Sequence, residues 1–264
     1  MESKCASRIC ILVIGLLVLA GTTTQAATKT WTGTTGTDFA TPGNWSGGVP
    51  SNNDYSDIAR FTENSPSNKS PTLASGRSVN KVIFDNSVGW TLGGGDILFK
   101  VLESSGAGTN TINAIKSQAS NQTWTIGTGN TVIINTFAQD GSGVQTTIQG
   151  GGSMQVRGQV GYSYSTNKDF VIKSGTTLRV ASSTVYSNAT GQTHIASDTA
   201  ALLLLTSVAN ATAQIGTKII DDYGAGLTVT DIGGGYVKIA SVPKPASLAM
   251  LAAAGLMLGR RRRA

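Results

Sequence analysis

The sequence predicts an all-β protein whose body is a parallel β-solenoid, in which the chain winds into stacked coils. Short β-branched runs recur through residues 27–241, and several alternate apolar and polar residues, as half-buried strands do. The runs are similar in length, and clusters of Gly, Asn, Asp or Ser separate them. Ser, Thr and Asn also occur where the side chains of neighbouring coils would stack on one another.

Individual elements follow from the same pattern. The clearest strands are 78–84, 96–101, 131–137, 169–173, 177–180, 227–230 and 236–239. The apolar run Ala200–Leu205 is interpreted as a buried strand, with one short helical turn as the alternative. Glycine triplets at 93–95, 150–152 and 233–235 predict turns, because glycine readily adopts positive φ.

The number of coils depends on their length. Coils of about 20 residues or slightly more would divide the body into about eight to ten coils. Exact repeats are absent from the sequence. A β-sandwich or jelly roll, which also consists of many short strands, is therefore the alternative fold.

The first 26 residues have the pattern of a secretory signal peptide. Lys4 and Arg8 precede the apolar run Ile9–Ala20, and small residues follow it. We expect cleavage after Ala26, with Thr24 as the small residue two positions before it. The alternative is an N-terminal membrane anchor, but a stable span takes about 20 apolar residues, which this run does not reach.

The distribution of charge argues against nucleic acid as a partner. The formal net charge is +6, but seven of the 20 Lys and Arg residues lie near the two ends of the chain. The body keeps 13 basic and 13 acidic residues, scattered singly, whereas a phosphate-binding surface needs clustered cations. Both cysteines, Cys5 and Cys10, fall in the predicted leader, so the body is expected to hold no disulfide.

Residues 242–264 form a third segment with three parts. Pro243, Lys244 and Pro245 precede the uncharged apolar run Ala246–Gly259, and four arginines follow, Arg260, Arg261, Arg262 and Arg263. The arginine block would stay in the cytoplasm by the positive-inside rule. Fourteen residues give a helix of about 21 Å, which is short for a permanent span.

This segment resembles the PEP-CTERM sorting signal of Gram-negative bacteria, which is also classified as a C-terminal domain of ice-binding proteins. The resemblance implies that an exosortase recognises the Pro-x-Pro motif and removes the helix, so that the protein is released or relocated outside the inner membrane. Lys244 stands where the motif has its acidic residue. A plain C-terminal membrane anchor is the alternative.

Part of the body resembles a second family, the autotransporter-associated β-strand repeat. The stretch Gly150–Gly158, continued by Tyr164–Thr166 and Val171–Val180, carries a glycine turn, an alternating strand, a polar turn and a second strand. The opening motifs Trp31-Thr-Gly33 and Asn44-Trp45 are similar to the start of large surface proteins built from these repeats. The resemblance implies a passenger-like β-helix displayed outside the cell.

Trp31, Trp45 and Phe61 allow two interpretations. The first is a hydrophobic cap over the first coil, because the end of a solenoid must be covered. The second is a carbohydrate-binding platform, because aromatic rings stack on sugars.

The residue types needed for catalysis are sparse. His194 lacks the partners of a nucleophilic triad or a zinc site and is interpreted as an ordinary strand residue. Asp54 and Asp57 are interpreted as turn formers. Asp221 and Asp222 are adjacent, so in a strand they would point to opposite faces. We therefore expect no enzymatic activity, no cofactor and no metal site.

Recurring Thr-x-Thr pairs bear on ice binding, which needs ranks of threonines on one flat face. Examples are Thr30 and Thr32, Thr109 and Thr111, Thr123 and Thr125, and Thr228 and Thr230. Their spacing along the chain is irregular.

The sequence therefore favours an exported structural or adhesion protein of the cell surface or extracellular matrix. Its expected partners are signal peptidase, an exosortase, and extracellular polysaccharide or other surface proteins. The alternatives are a glycan- or ice-binding module and, less favoured, a polysaccharide-acting enzyme.

Overall fold

The computed structural model describes residues 26–52, 55–62, 68–85, 89–117, 120–139, 143–158, 160–162, 168–186 and 191–244. The strands in the first half are β1 (Thr28–Trp31), β2 (Trp45–Ser46), β3 (Ile58–Phe61), β4 (Thr72–Leu73), β5 (Arg77–Ser78), β6 (Lys81–Asp85), β7 (Thr91–Gly94), β8 (Ile97–Phe99), β9 (Val101–Ser105), β10 (Gly108–Ser117) and β11 (Gln122–Ile126). The strands in the second half are β12 (Asn130–Gln139), β13 (Val144–Gln149), β14 (Ser153–Val156), β15 (Gly161–Tyr162), β16 (Lys168–Ile172), β17 (Thr177–Val180), β18 (Gln192–Ile195), β19 (Ala201–Leu205), β20 (Ile219–Asp221), β21 (Leu227–Gly233) and β22 (Tyr236–Ser241). A helix, α1, spans Val208–Gln214, and one 3-10 turn spans Pro42–Asn44.

The strands form the predicted parallel β-solenoid, so the sandwich and jelly-roll alternatives are wrong. Sheet 1 has ten strands in the order β2-β1-β3-β6-β9-β11-β13-β16-β18-β20. Sheet 2 has twelve, with the path β21-β22-β19-β17-β14-β12-β10-β7-β4. The chain alternates between the sheets as it winds, and pairing is parallel within the stack.

Along sheet 1 from β3 to β20, paired residues in successive coils are 20 to 26 positions apart, from Lys81↔Val101 to His194↔Ile220. The stack has about six turns. The expectation of eight to ten coils was therefore too high. The reason is that residues 28–57 and 206–241 build the two ends of the body, so fewer residues remain for coils.

The long strands β10 and β12 each serve two sides of a coil. The first half of β10 pairs with β7 through Thr111 and Ile112, and its second half pairs with β8 through Ile115–Ser117. In β12, the second half pairs with β15. Sheet 2 therefore bends around a corner, and the coils have three sides.

Aromatic side chains fill the interior as a ladder. Phe99, Trp124, Phe137, Phe170 and Tyr186 contact one another in series, with ring centroids 5.3 to 5.7 Å apart. All five are buried. The contacts Phe99–Trp124 and Phe137–Phe170 join neighbouring coils, whereas Trp124–Phe137 and Phe170–Tyr186 join rings within one coil.

A second aromatic cluster closes the N-terminal end, as the capping interpretation predicts. The ring of Trp45 lies 5.1 Å from Trp31 and 5.8 Å from Phe61, measured between centroids. Trp31 and Phe61 are 0% exposed and Trp45 is 5% exposed. The carbohydrate-platform interpretation is therefore wrong, because these rings offer no face to a sugar.

Two asparagines occupy a buried corner where β9 turns into β10. The Ser104 hydroxyl donates to Asn130 Oδ1 at 2.6 Å, and Asn110 Nδ2 donates to Ser104 Oγ at 3.0 Å. Asn130 Nδ2 donates to the backbone carbonyls of Ser105 and Gly106. The side chains of Ser104, Asn110 and Asn130 are buried, and these bonds give their polar groups partners.

Replacing Asn130 with alanine is expected to lower the free energy of unfolding by about 2 to 3 kcal/mol, because several buried polar groups lose their partner. Denaturant titration measures this. Asn135→Ala on the same strand is the control, since Asn135 lies on the outer side with a side-chain contact of 3.4 Å to Asn113. Equal losses in the two variants would contradict a specific role for the corner.

The C-terminal end contains the features that the sequence pattern missed. Helix α1 follows β19, and the Ser207 hydroxyl caps it by accepting from the Asn210 amide. The antiparallel hairpin β21–β22 then returns to pair with β19. The run Ala200–Leu205 is a strand over Ala201–Leu205, as predicted.

Each glycine triplet supplies positive φ where the chain turns, as predicted. Gly150, Gly151, Gly234 and Gly235 have positive φ at corners between strands. Gly94 has a φ of +82° at the end of β7, and Gly95 follows it in a bend. No helix among the described residues is long and apolar enough to span a membrane. The predicted leader up to residue 25 and the apolar run Ala246–Gly259 lie outside the described residues.

Candidate functional site

A polar groove crosses the outer side of sheet 1 near the N-terminal end of the stack. Its volume is about 480 Å³, within the range of ligand-binding pockets. Arg60, Ile83, Glu103 and Thr125 line it from four successive strands, β3, β6, β9 and β11. They pair in register, so their side chains form one column with a spacing of about 4.8 Å.

Charges of both signs are paired within and beside this groove. Arg60 Nε donates to Asp85 Oδ2 at 2.7 Å, and its Nη2 contacts the same oxygen. Lys81 Nζ donates to Glu103 Oε1 at 2.8 Å. Asp85 Oδ1 is buried and has no hydrogen-bond partner among the described residues. The groove is therefore electrically balanced and offers hydrogen-bonding groups along its length.

The groove suits a polar, uncharged ligand better than an ion or an apolar molecule. Its lining contains two carboxylates, Asp85 and Glu103, and each is engaged by a cation. Thr125 and Ser105 add hydroxyl groups on the same side. A polysaccharide-acting enzyme predicts three or more converging carboxylates, an arrangement that these lining residues do not form.

His194 lies on the outer side of sheet 1, in β18, as expected for an ordinary strand residue. Its Nδ1 is 2.9 Å from Asp222 Oδ1, and its Nε2 is 3.9 Å from Asp169 Oδ2. The sequence did not indicate this cluster, because the two aspartates belong to the coils on either side of β18. The described residues contain no group of three or more ligands that could hold a metal ion.

The other acidic candidates act in turns or point apart. Asp57 is buried and accepts a hydrogen bond from the Ser51 amide at 2.7 Å, as a turn former does. Asp54 lies outside the described residues. Asp221 accepts from Ser241 and Asp222 contacts His194, so the adjacent pair diverges as the strand geometry predicts.

Asp221 organises the loop between β20 and β21. Burial on its own raises the pKa of this carboxyl group, but four hydrogen bonds outweigh the effect and hold the pKa below its ordinary value of 3.8. The donors are the Ser241 hydroxyl and the amides of Tyr223, Gly224 and Gly226. Because the folded-state pKa is lowered, the ionised carboxylate stabilises the fold above the unfolded-state pKa, and this contribution is lost as the pH falls through the folded-state pKa.

Asp221→Asn is expected to be less stable than the wild type at neutral pH, and the difference should shrink as the pH falls below 3.8, the ordinary pKa, towards the lower pKa of the folded-state carboxyl group. Thermal unfolding measured across acidic pH tests this. Ser241→Ala removes one stabilising donor and should move the acid-induced loss to higher pH. Parallel pH profiles for the wild type and Asp221→Asn would rule out the proposed role of this carboxylate.

The predicted processing positions frame the described body. Ala26 is half-buried just before β1, and Pro243 and Lys244 are exposed just after β22. The Val242 amide donates to the Gly226 carbonyl at 2.9 Å, and Lys244 Nζ lies 4.6 Å from the ring centroid of Tyr223. A lysine suits this position because the ring face attracts a cation. Pro245 and Arg260–Arg263 lie outside the described residues.

The Thr-x-Thr pairs are distributed over different parts of the fold. Thr123 and Thr125 lie on sheet 1, Thr109 and Thr111 on sheet 2, and Thr228 and Thr230 on the terminal hairpin. A single column of hydroxyls, Thr109, Thr131, Ser153 and Thr177, runs along sheet 2. The neighbouring column contains Ile133, Gln155 and Arg179. This sheet therefore lacks the uniform rank of threonines that ice binding predicts.

No family model matches this chain, and no curated protein or solved structure does either. A functional proposal for the chain therefore rests on its own residues. Among these, the groove on sheet 1 combines volume, paired charge and hydrogen-bonding capacity in one place.

Proposed function

We propose that this protein is an exported structural or adhesion component of the cell surface or extracellular matrix, and that its groove on sheet 1 binds polysaccharide. The observation that carries the proposal is the column Arg60, Ile83, Glu103 and Thr125, repeated at the spacing of the coils. Arg60, Glu103 and Thr125 present hydrogen-bonding side chains to an extended polymer at the spacing of the coils, and Ile83 adds an apolar surface between them. A glycan-binding module is thus part of the same proposal.

The packing of the body supports a role at its outer surface. Aromatic and aliphatic side chains fill the interior, and the cavity beside Tyr186 and Gly191 has a volume of only about 10 Å³. A cavity of this size holds about one water molecule. The outer sides of the coils are therefore the surfaces available to a partner.

The two ends of the chain supply the support for export. The leader and the Pro-x-Pro tail resemble segments that carry proteins through and beyond the inner membrane. Signal peptidase would act after Ala26, and an exosortase would act near Pro245. Pro243 and Lys244 are exposed, which a processing enzyme requires. A plain anchor would instead leave the body tethered to the membrane through residues 246–259.

A bulky cation in the groove is expected to weaken polysaccharide binding about tenfold or more. Thr125→Arg introduces it, because Thr125 lines the groove. Thr123→Arg is the matched control, since Thr123 is exposed on the same strand and outside the groove lining. Co-sedimentation of the mature protein with extracellular polysaccharide from its own host measures the effect.

The two variants distinguish binding at the groove from nonspecific binding to the surface of the protein. Loss of binding in Thr125→Arg with retention in Thr123→Arg supports the groove. Equal binding by the wild type and both variants would show that the groove is not the contact surface.

A further inference from the structure

Strand β21 forms the long open edge of the β-sheet structure. Among the other described strands that end a sheet or a branch of one, β2, β4, β5 and β15 have two residues each and β20 has three. Strand β21 has seven residues, Leu227–Gly233, and so extends over about 24 Å at 3.4 Å per residue. No other described strand pairs with its free side.

The backbone of β21 alternates between its partner β22 and the open side. The Val242 amide donates to the Gly226 carbonyl, which fixes residue 226 as a hydrogen-bonded position of the antiparallel ladder. Hydrogen bonds in such a ladder fall on alternate residues. The amide and carbonyl groups of Leu227, Val229 and Asp231 therefore point away from β22.

The side chains of β21 do little to protect this edge. Proteins usually block open edges with Lys, Pro, bulges or very short strands. Strand β21 contains neither Lys nor Pro, its only charged residue is Asp231, and the irregularity in its pairing with β22 lies near its end, between Asp231 and Gly233. Thr228 and Thr230 are exposed, and Ile232 is 49% exposed. Leu205, on β19 near the hairpin turn, is also exposed.

We propose that β21 pairs with β21 of a second copy of this chain in an antiparallel, two-fold symmetric dimer. The strand is self-complementary. When the two-fold axis passes through Thr230, Thr230 faces Thr230 of the second copy, and when it passes through Val229, Val229 faces Val229 of the second copy. In the register centred on Val229, Asp231 faces Leu227 of the second copy, so the two Asp231 carboxylates stay apart. Residues opposite one another in such a pair interact directly.

The position of β21 limits the size of the assembly. It ends the stack at one side, and a two-fold contact uses the same surface on both copies. The dimer therefore closes and adds no third copy. It would join two coil stacks end to end and place two sheet 1 grooves on one particle, which strengthens attachment to a repetitive polymer.

Sedimentation velocity of the mature protein over a wide concentration range tests the proposal. The wild type is expected to form a concentration-dependent dimer and no larger species. Thr230→Lys and Thr230→Glu should each raise the dimer dissociation constant about tenfold or more, because like charges meet near the axis. An equimolar mixture of the two variants should restore the dimer. Thr177→Lys, on the interior strand β17 of the same sheet, should leave it unchanged.

Several outcomes would overturn the proposal. A monomer at every concentration would do so. Open-ended polymers would contradict a closed two-fold contact. A dimer that both charge variants retain must use another surface. The mixture places a lysine of one variant near a glutamate of the other, which restores the dimer only if position 230 lies at the interface. A folding defect in one variant would not give this result.

Discussion

Trp124→Ala is expected to lower the free energy of unfolding by about 3 to 5 kcal/mol, the usual cost of truncating a fully buried tryptophan. The ring lies between Phe99 and Phe137, at centroid distances of 5.5 and 5.3 Å. Its Nε1 also donates to Gln122 Oε1 within the core. The substitution therefore leaves a cavity in the middle of the ladder and removes contacts to Phe99 in the preceding coil and to Phe137 in the same coil.

Equilibrium denaturation with guanidinium chloride measures this loss. Thr123→Ala is the matched control, since Thr123 is the exposed neighbour on the same strand. A surface substitution of this kind usually changes stability by no more than about 0.5 kcal/mol. If Trp124→Ala cost less than about 1 kcal/mol, the ladder would not be the main link between coils.

Gly150→Ala is expected to cost about 4 kcal/mol, from backbone strain together with overpacking. Gly150 has φ +106°, and a Cβ atom there would lie 2.5 Å from the Ile126 carbonyl oxygen. That oxygen belongs to the backbone of the preceding coil, so the two coils would have to move apart. The strand register on both sides of this corner depends on their close approach.

Gly143→Ala separates the two causes. Gly143 also has a positive φ of +66°, but a Cβ atom there would meet no described residue within 4 Å. In this variant the free energy of unfolding should fall only by the cost of the left-handed backbone conformation, about 1 to 2 kcal/mol. If both variants lost the same stability, the tight contact between coils at Gly150 would not limit the fold.

The solenoid could be predicted because each coil repeats local sequence patterns, namely short strands of alternating residues separated by turn residues. The strand predicted at 177–180 coincides with β17, and the one at 131–137 lies within β12. Alternation of apolar and polar residues marks these strands, and burial in the structure follows it. The buried cap of Trp31, Trp45 and Phe61 was also predictable, because an aromatic cluster at a solenoid end has to be covered.

Other features depend on contacts between coils and escaped the sequence pattern. Helix α1 has only seven residues, and its sequence, VANATAQ, lacks a clear apolar periodicity. The groove arises because Arg60, Ile83, Glu103 and Thr125 fall into register, which depends on coil lengths that vary from 20 to 26 residues. The neighbours of His194 were hidden for the same reason.

Export and processing of both ends can be tested by the intact mass of the protein recovered from each cell fraction of its own host. We expect a product cut after Ala26 and near Pro245, located outside the inner membrane. A product that retains Arg260–Arg263 and stays in the inner membrane would contradict the proposed release and leave the solenoid as a tethered domain.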